Sequence, residues 1–170
     1  TVQDITARKA AEAAVSESEA RFRILANTLP ALIFVATGDS GNTWVNEPYV
    51  VYSGRPAERL LGRGWIDTVH PEDIATAMSG AQQSWRRGEL YVSETRFLRA
   101  DGAWRWHLVR GNPIRDATGQ VVQWVGAATD IQEIVEAREA LAISRGAVER
   151  ANAELEARVA ERTASLAEAN

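Results

Sequence analysis

The apolar positions of the chain follow a helical period at both ends and an alternating one in the middle. Val15, Phe22, Leu25 and Leu29 fall at the three-, four- and seven-residue spacings of one helix face. Ser16 with Glu19 has the form of a capping box, a point where that helix can break and restart, and Pro30 ends it. Ala31–Ala36 followed by Gly38-Asp39-Ser40-Gly41-Asn42 predicts a strand and a hairpin turn, with Thr43–Asn46 as the returning strand. Between Pro48 and Trp65, Gly and Pro punctuate short apolar clusters, the pattern of short helices joined by turns. Pro71 opens a longer helix with Glu72 and Asp73 in its first turn, where the helix dipole favours anions. Ile74, Ala77, Met78, Ala81 and Trp85 give that helix its apolar side, and Gly88 its end. Tyr91–Arg99 and Ala103–Arg115 read as strands joined at Asp101-Gly102, a strong hairpin signal. A second turn over Arg115–Gln120 leads to a strand at Val121–Ala128. Strands and helices segregated in this order indicate an α+β fold with one sheet and helices on one face.

From Ile131 onward the period becomes heptad. Ile134, Leu141, Val148 and Leu155 occupy one core position; Ile131, Arg138, Arg145, Asn152, Val159 and Leu166 occupy the other. Asp130 with Glu133 can cap this helix where it leaves the last strand. A continuous helix to the end would be roughly 60 Å long. One apolar seam on so long a helix needs a partner, and a parallel two-stranded coiled coil is the expected one. Asn152 would fix its register, while Arg138 and Arg145 weaken it near the domain. The competing reading is a helix folded back on its own domain.

Composition divides the chain in the same places. Thr6–Glu19 and Ile131–Asn170 are rich in Ala, Glu and Arg, whereas all five prolines, all six tryptophans and both histidines lie between them. The 170 residues carry a net charge of −4 with a pI near 5.3, against the basic excess of nucleic-acid binders. The best apolar run, Leu29–Ala36, is too short to span a membrane, and no charged-then-apolar leader precedes it. A chain starting at Thr1 reads as a piece of something longer, in a cytoplasmic setting. The absence of cysteine excludes disulfides, thiolate metal sites, thiol nucleophiles and flavin–cysteine photochemistry. Haem would need an axial ligand; His70 precedes Pro71 in a local structural role, and His107 is read as a strand residue facing away from Trp104 and Trp106. No cofactor or metal site is assigned. No phosphoacceptor histidine stands on either helical arm, no phosphate-binding glycine loop is present, and no catalytic residue is assigned. Glu94 and Arg96, two apart on one strand, read as a same-face ion pair.

The middle resembles the PAS domains that end in a PAC motif. The matching residues are Trp44-Val45-Asn46, Tyr52-Ser53-Gly54, Leu61-Gly62-Arg63-Gly64-Trp65 and Val69-His70-Pro71-Glu72-Asp73, then Glu94-Thr95-Arg96, Asp101 to Trp106, Gly111 to Asp116 and Val125 to Ile131. The resemblance implies a five-stranded antiparallel sheet with helices enclosing a small cavity. By family position the cavity residues would be Asn46, Tyr49, Ile66, Met78, Arg96 and Phe97. It also implies that Asp130, Ile131 and Glu133 couple the sheet to the following helix. Residues 1–17 are expected to be the end of an upstream module and its linker helix, because Asp4-Ile5 repeats the Asp130-Ile131 junction. Residues 18–131 form the PAS domain and residues 132–170 the signalling helix. Trp104, Trp106 and Trp124 are expected to form one aromatic patch, covered by the Val15–Leu29 helix and a dimer mate.

The expected function is a sensory or relay module, homodimeric, passing a conformational signal to a C-terminal output domain of a bacterial two-component histidine kinase. The alternatives are a ligandless dimerisation spacer relaying a signal sensed upstream, or the sensor of a diguanylate cyclase.

Overall fold

The computed structural model describes residues 2–38 and 41–168. The turn positions Asp39 and Ser40 and the side chain of Asp4 lie outside the described residues. The chain divides into two compact units, one ending at Ile131 and one starting at Gln132.

In the first unit, helix α1 spans Val2–Thr28 without interruption, so the break expected at Ser16 does not occur. Arg8–Glu12 and Glu17–Arg21 ion pairs, each one helical turn apart, support a sequence already rich in helix formers. The backbone around Asp4-Ile5, which repeats the Asp130-Ile131 junction in sequence, is helical from Val2. Strand β1 (Leu32–Thr37) turns into β2 (Gly41–Val45). Helices α2 (Glu47–Ser53) and α3 (Ala57–Leu60) and a 3-10 turn (Gly64–Thr68) follow, then α4 (Ile74–Arg87). Pro71 does not open α4 as expected; residues 71–73 form a turn, and Asp73 flanks the helix. Gly88 at φ 64° terminates α4, a left-handed conformation that glycine adopts without strain.

Strands β3 (Tyr91–Leu98), β4 (Trp104–Arg115) and β5 (Val121–Asp130) complete one antiparallel sheet of order β2-β1-β5-β4-β3. The central pairing sets Phe34, Gly126 and Gly111 in one row across β1, β5 and β4. On the helix-covered face, Leu32, Val45, Tyr49, Leu60, Val69, Phe97, Val109 and Ala128 form the core. The outer edge of β3 is partly paired: Val69 bridges Phe97, and the His70 N–H donates to Arg96 O at 2.9 Å.

Parity fails at one predicted place. Trp124 does not join Trp104 and Trp106. Counting back from the turn pair Arg115–Val121 would set Trp124 opposite Asn112, on the Trp104 face. A bulge between Ile114 and Arg115 shifts the register by one residue, so Trp124 pairs with Pro113 and turns to the core face. Nor does α1 cover Trp104: Val15, Leu25 and Leu29 are exposed, and its ring contact is Phe22 against Trp44 of β2 at 5.4 Å. Trp104 instead meets the His70 ring edge-on at 4.8 Å, and the Arg96 guanidinium lies 5.1 Å over Trp106.

In the second unit, α5 runs Gln132–Glu168, close to the predicted span. Its seam residues Ile134, Leu141, Val148 and Leu155 are between 54% and 70% exposed. Asn152 is exposed as well, as are Val159 and Leu166 of the second seam.

Candidate functional site

A cavity of about 700 Å³ lies between α4, the 3-10 turn and the core face of the sheet. Its walls are aromatic and apolar: Phe34, Trp65, Met78, Trp85, Phe97 and Trp124 are among them. Trp85 of α4 and Trp124 of β5 meet with ring centroids 5.9 Å apart, and the Trp124 indole N–H is buried without a hydrogen-bond partner. Polar groups are few, and several are already engaged. The Tyr49 hydroxyl sits 3.0 Å from Thr68 Oγ1, whose own hydroxyl donates to Trp65 O, so Tyr49 is the donor of the pair. Burial pushes the Tyr49 phenol up to about 12, so it stays protonated. Thr95 Oγ1 lies 3.1 Å from Ser93 Oγ, and Asn42 Nδ2 donates to Leu60 O.

Of the six cavity residues expected by family position, Tyr49, Ile66, Met78 and Phe97 line this space, and Asn46 and Arg96 do not. Asn46 is wholly buried and serves the backbone. Its Oδ1 accepts from Ile33 N and Tyr49 N; its Nδ2 donates to Ala26 O and Ala31 O. It therefore ties the end of α1 to β1 and caps α2. Arg96 is adjacent to Phe97 on β3, and successive strand residues face opposite sides, so both could not enter one cavity. Its guanidinium reaches Asp73 Oδ1 at 2.7 Å and Glu72 Oε2 at 2.9 Å, binding the turn before α4 to the outer sheet face.

The Arg96 hydrogen bond, with the backbone N–H of Arg96 adding to it, holds the Asp73 carboxyl below its ordinary value of 3.8. A depressed carboxylate contributes stability above its unfolded value and loses it as pH falls through the folded one. We therefore expect Asp73→Asn to be less stable than the parent at pH 7 and the difference to shrink below about pH 4. Urea denaturation across that range measures it, and a pH-independent difference would contradict the assignment.

His107 faces the core, as alternation predicts, but does not line the cavity. Its ring packs against Tyr52 at 5.0 Å and Phe97 at 5.2 Å, with Nδ1 2.9 Å from Arg105 O. Burial lowers its pKa, and the neutral ring fits that packing. Opposite His107 on the neighbouring strand is Asp130, whose carboxylate takes Arg105 Nε at 2.6 Å and Nη2 at 3.3 Å. Ile131 follows, its N–H donating to Trp106 O at 2.8 Å. Since α5 starts at Gln132, the position next to it is Ile131, and the expected cap Asp130 lies within β5. This bracing of the last strand was not legible in the sequence, because Arg105 and Asp130 lie on different strands. Among the described residues no cluster of acidic and histidine side chains could hold a metal ion, and no helix is long and apolar enough to cross a membrane.

A five-stranded antiparallel sheet covered on one face by short helices, with a cavity of small-molecule size between them, defines a class of α+β domain with room for a ligand. The family profile described as PAS fold matches residues 42–128, just over half the chain, and the chain belongs to the PAS family, as a sensory domain of signalling proteins. It is 33% identical over 133 residues to the uncharacterized protein y4lL of Sinorhizobium fredii, covering 78% of this chain and 16% of that one. It is 30% identical over 139 residues to the two-component sensor PprA of Pseudomonas aeruginosa, covering 82% and 15%. With the peroxide stress-activated histidine kinase mak1 of Schizosaccharomyces pombe it shares 28% over 149 residues, covering 78% and 9%. The chain thus spans only a small fraction of these relatives. Among solved structures, a sensory box histidine kinase/response regulator from Burkholderia thailandensis superposes with a TM-score of 0.59 at 21% identity, over 76% of this chain and 98% of that one.

Proposed function

We propose that this chain is a cytoplasmic sensory and relay module that passes a conformational change from the PAS domain through a dimeric α5 to a C-terminal output domain, a histidine kinase. The observation that carries this reading is the exposed apolar seam of α5, from Ile134 to Leu155, on a 37-residue helix that begins one residue after β5. An isolated helix with such a seam is marginal in water; a second copy of itself buries it. The relatedness to the two-component sensor PprA and the histidine kinase mak1 supports the kinase output. In this reading Asp130 and Arg105 brace the end of β5, so a shift of the sheet is delivered through Ile131 to the helix, with Glu133 in its first turn.

The polar core position Asn152 keeps two packings of the coiled coil close in energy, which a switch requires. Asn152→Leu should tighten the dimer in sedimentation equilibrium and leave the output of the full-length parent unresponsive to stimulus. A chain that remains monomeric at tens of micromolar, or a parent that still switches with Leu at 152, would contradict the relay.

A further inference from the structure

Among the described lining residues the charge is all of one sign. Two arginines, Arg63 beside the 3-10 turn and Arg86 in the last turn of α4, line it and are exposed, which places them on its open side. Neither makes an ion pair among the described residues, whereas Arg55, Arg96, Arg99 and Arg105 hold carboxylates; Arg59 and Arg110 also lack one, but they do not line the cavity. No Asp, Glu or Lys is among the described lining residues. Inside that rim the walls are indole, phenyl and thioether surface, with the Trp85–Trp124 pair as the largest flat element.

We infer that the cavity takes an aromatic anion: a flat apolar body held against Trp85 and Trp124, and a carboxylate, sulfonate or phosphate group met by Arg63 and Arg86. This rests on the sensory reading above and gives the ligand its chemical class. A purely apolar ligand would leave two guanidiniums without a role. A cation would be repelled by both. A fully polar anion would have to strip water from aromatic walls that offer few free donors in return. Guanidinium suits the head group because its planar fork matches carboxylate and phosphate oxygens in pairs.

The experiment uses two probes of nearly the same shape, differing in charge: 1-anilinonaphthalene-8-sulfonate and its uncharged counterpart N-phenyl-1-naphthylamine. Both are titrated by fluorescence into the full chain, into Arg63→Gln/Arg86→Gln, and into Met78→Trp, which sets a bulkier ring into the cavity wall. Circular dichroism of each variant establishes that it is folded. We expect the sulfonate to bind the parent more tightly than the neutral probe. The double Gln variant should weaken the sulfonate roughly tenfold, about 1.4 kcal/mol, and leave the neutral probe unchanged. Met78→Trp should change the affinity for both. If the neutral probe binds as well as the sulfonate, or the double Gln variant binds both as the parent does, the anion assignment fails while the ligand-binding cavity stands. If neither probe binds the parent, or Met78→Trp leaves both affinities unchanged, the cavity is not a ligand site and the inference falls with it.

Discussion

Replacing Asn46 by alanine should lower the folding stability by about 3 kcal/mol, far more than its small size suggests. Its amide serves four backbone groups from three elements, all at 2.9–3.2 Å, in a place with no access to solvent. Truncation orphans the Ile33 N–H and the carbonyls of Ala26 and Ala31, while Tyr49 N keeps only a contact to the Asn46 carbonyl. A buried unsatisfied group costs about 1–3 kcal/mol, and losses within one cluster do not add fully. A melting temperature lower by roughly 10 °C is the observable; a loss under about 1 kcal/mol would show that water replaces the amide. Asn46→Asp sharpens the test, because a carboxylate keeps both acceptors but loses the donor facing Ala26 O and Ala31 O. That variant should be severely destabilised at neutral pH and recover in acid, where the protonated carboxyl can donate again.

The second large effect is steric. Gly126 lies in the middle of β5 beneath Phe34, and a Cβ built there would come within 2.1 Å of Phe34 Cζ and 2.5 Å of Cε2. The ring is wedged between the sheet and the core, so Gly126→Ala must push it into the cavity or distort the strand. We expect a loss of about 2–3 kcal/mol for Gly126→Ala and failure to fold for Gly126→Val. Phe34→Ala alone should cost about 3 kcal/mol. The double variant Gly126→Ala/Phe34→Ala should then be no less stable than Phe34→Ala, since the clash has gone. Additive losses in that cycle would mean the glycine is needed for backbone reasons instead.

These residues show what the sequence could and could not convey. Alternation along a single strand was readable, so His107 was placed correctly opposite Trp104 and Trp106. The relative parity of two strands was not, because it depends on register. The bulge at Ile114–Arg115 reverses Trp124, and its one local mark is the neighbouring Pro113, since proline inside a sheet is confined to edges and bulges. Asn46 was noticed for its family position, yet its Asn-Glu-Pro context already marked a helix cap, and that is the role it fills. Arg96 could have been excluded from the cavity by alternation once Phe97 was placed there. Its partners Glu72 and Asp73 come from 24 and 23 residues upstream, a distance no local pattern spans. Arg63 stands in the Leu61–Trp65 family match without any mark of a place at the cavity rim, and Arg86 looks in sequence like any surface arginine.

The Trp85–Trp124 pair also makes the domain its own optical reporter. Two indoles with centroids 5.9 Å apart and planes inclined at 33° are near enough for their transitions to couple. Trp44 and Trp104 each have Phe or His beside them, and Trp106 has Arg96. The exciton couplet of this pair in the ultraviolet circular dichroism would originate at the cavity wall. Its amplitude follows the angle between α4 and β5, so movement of that helix can be followed in unlabelled protein, in real time, before any output domain is attached.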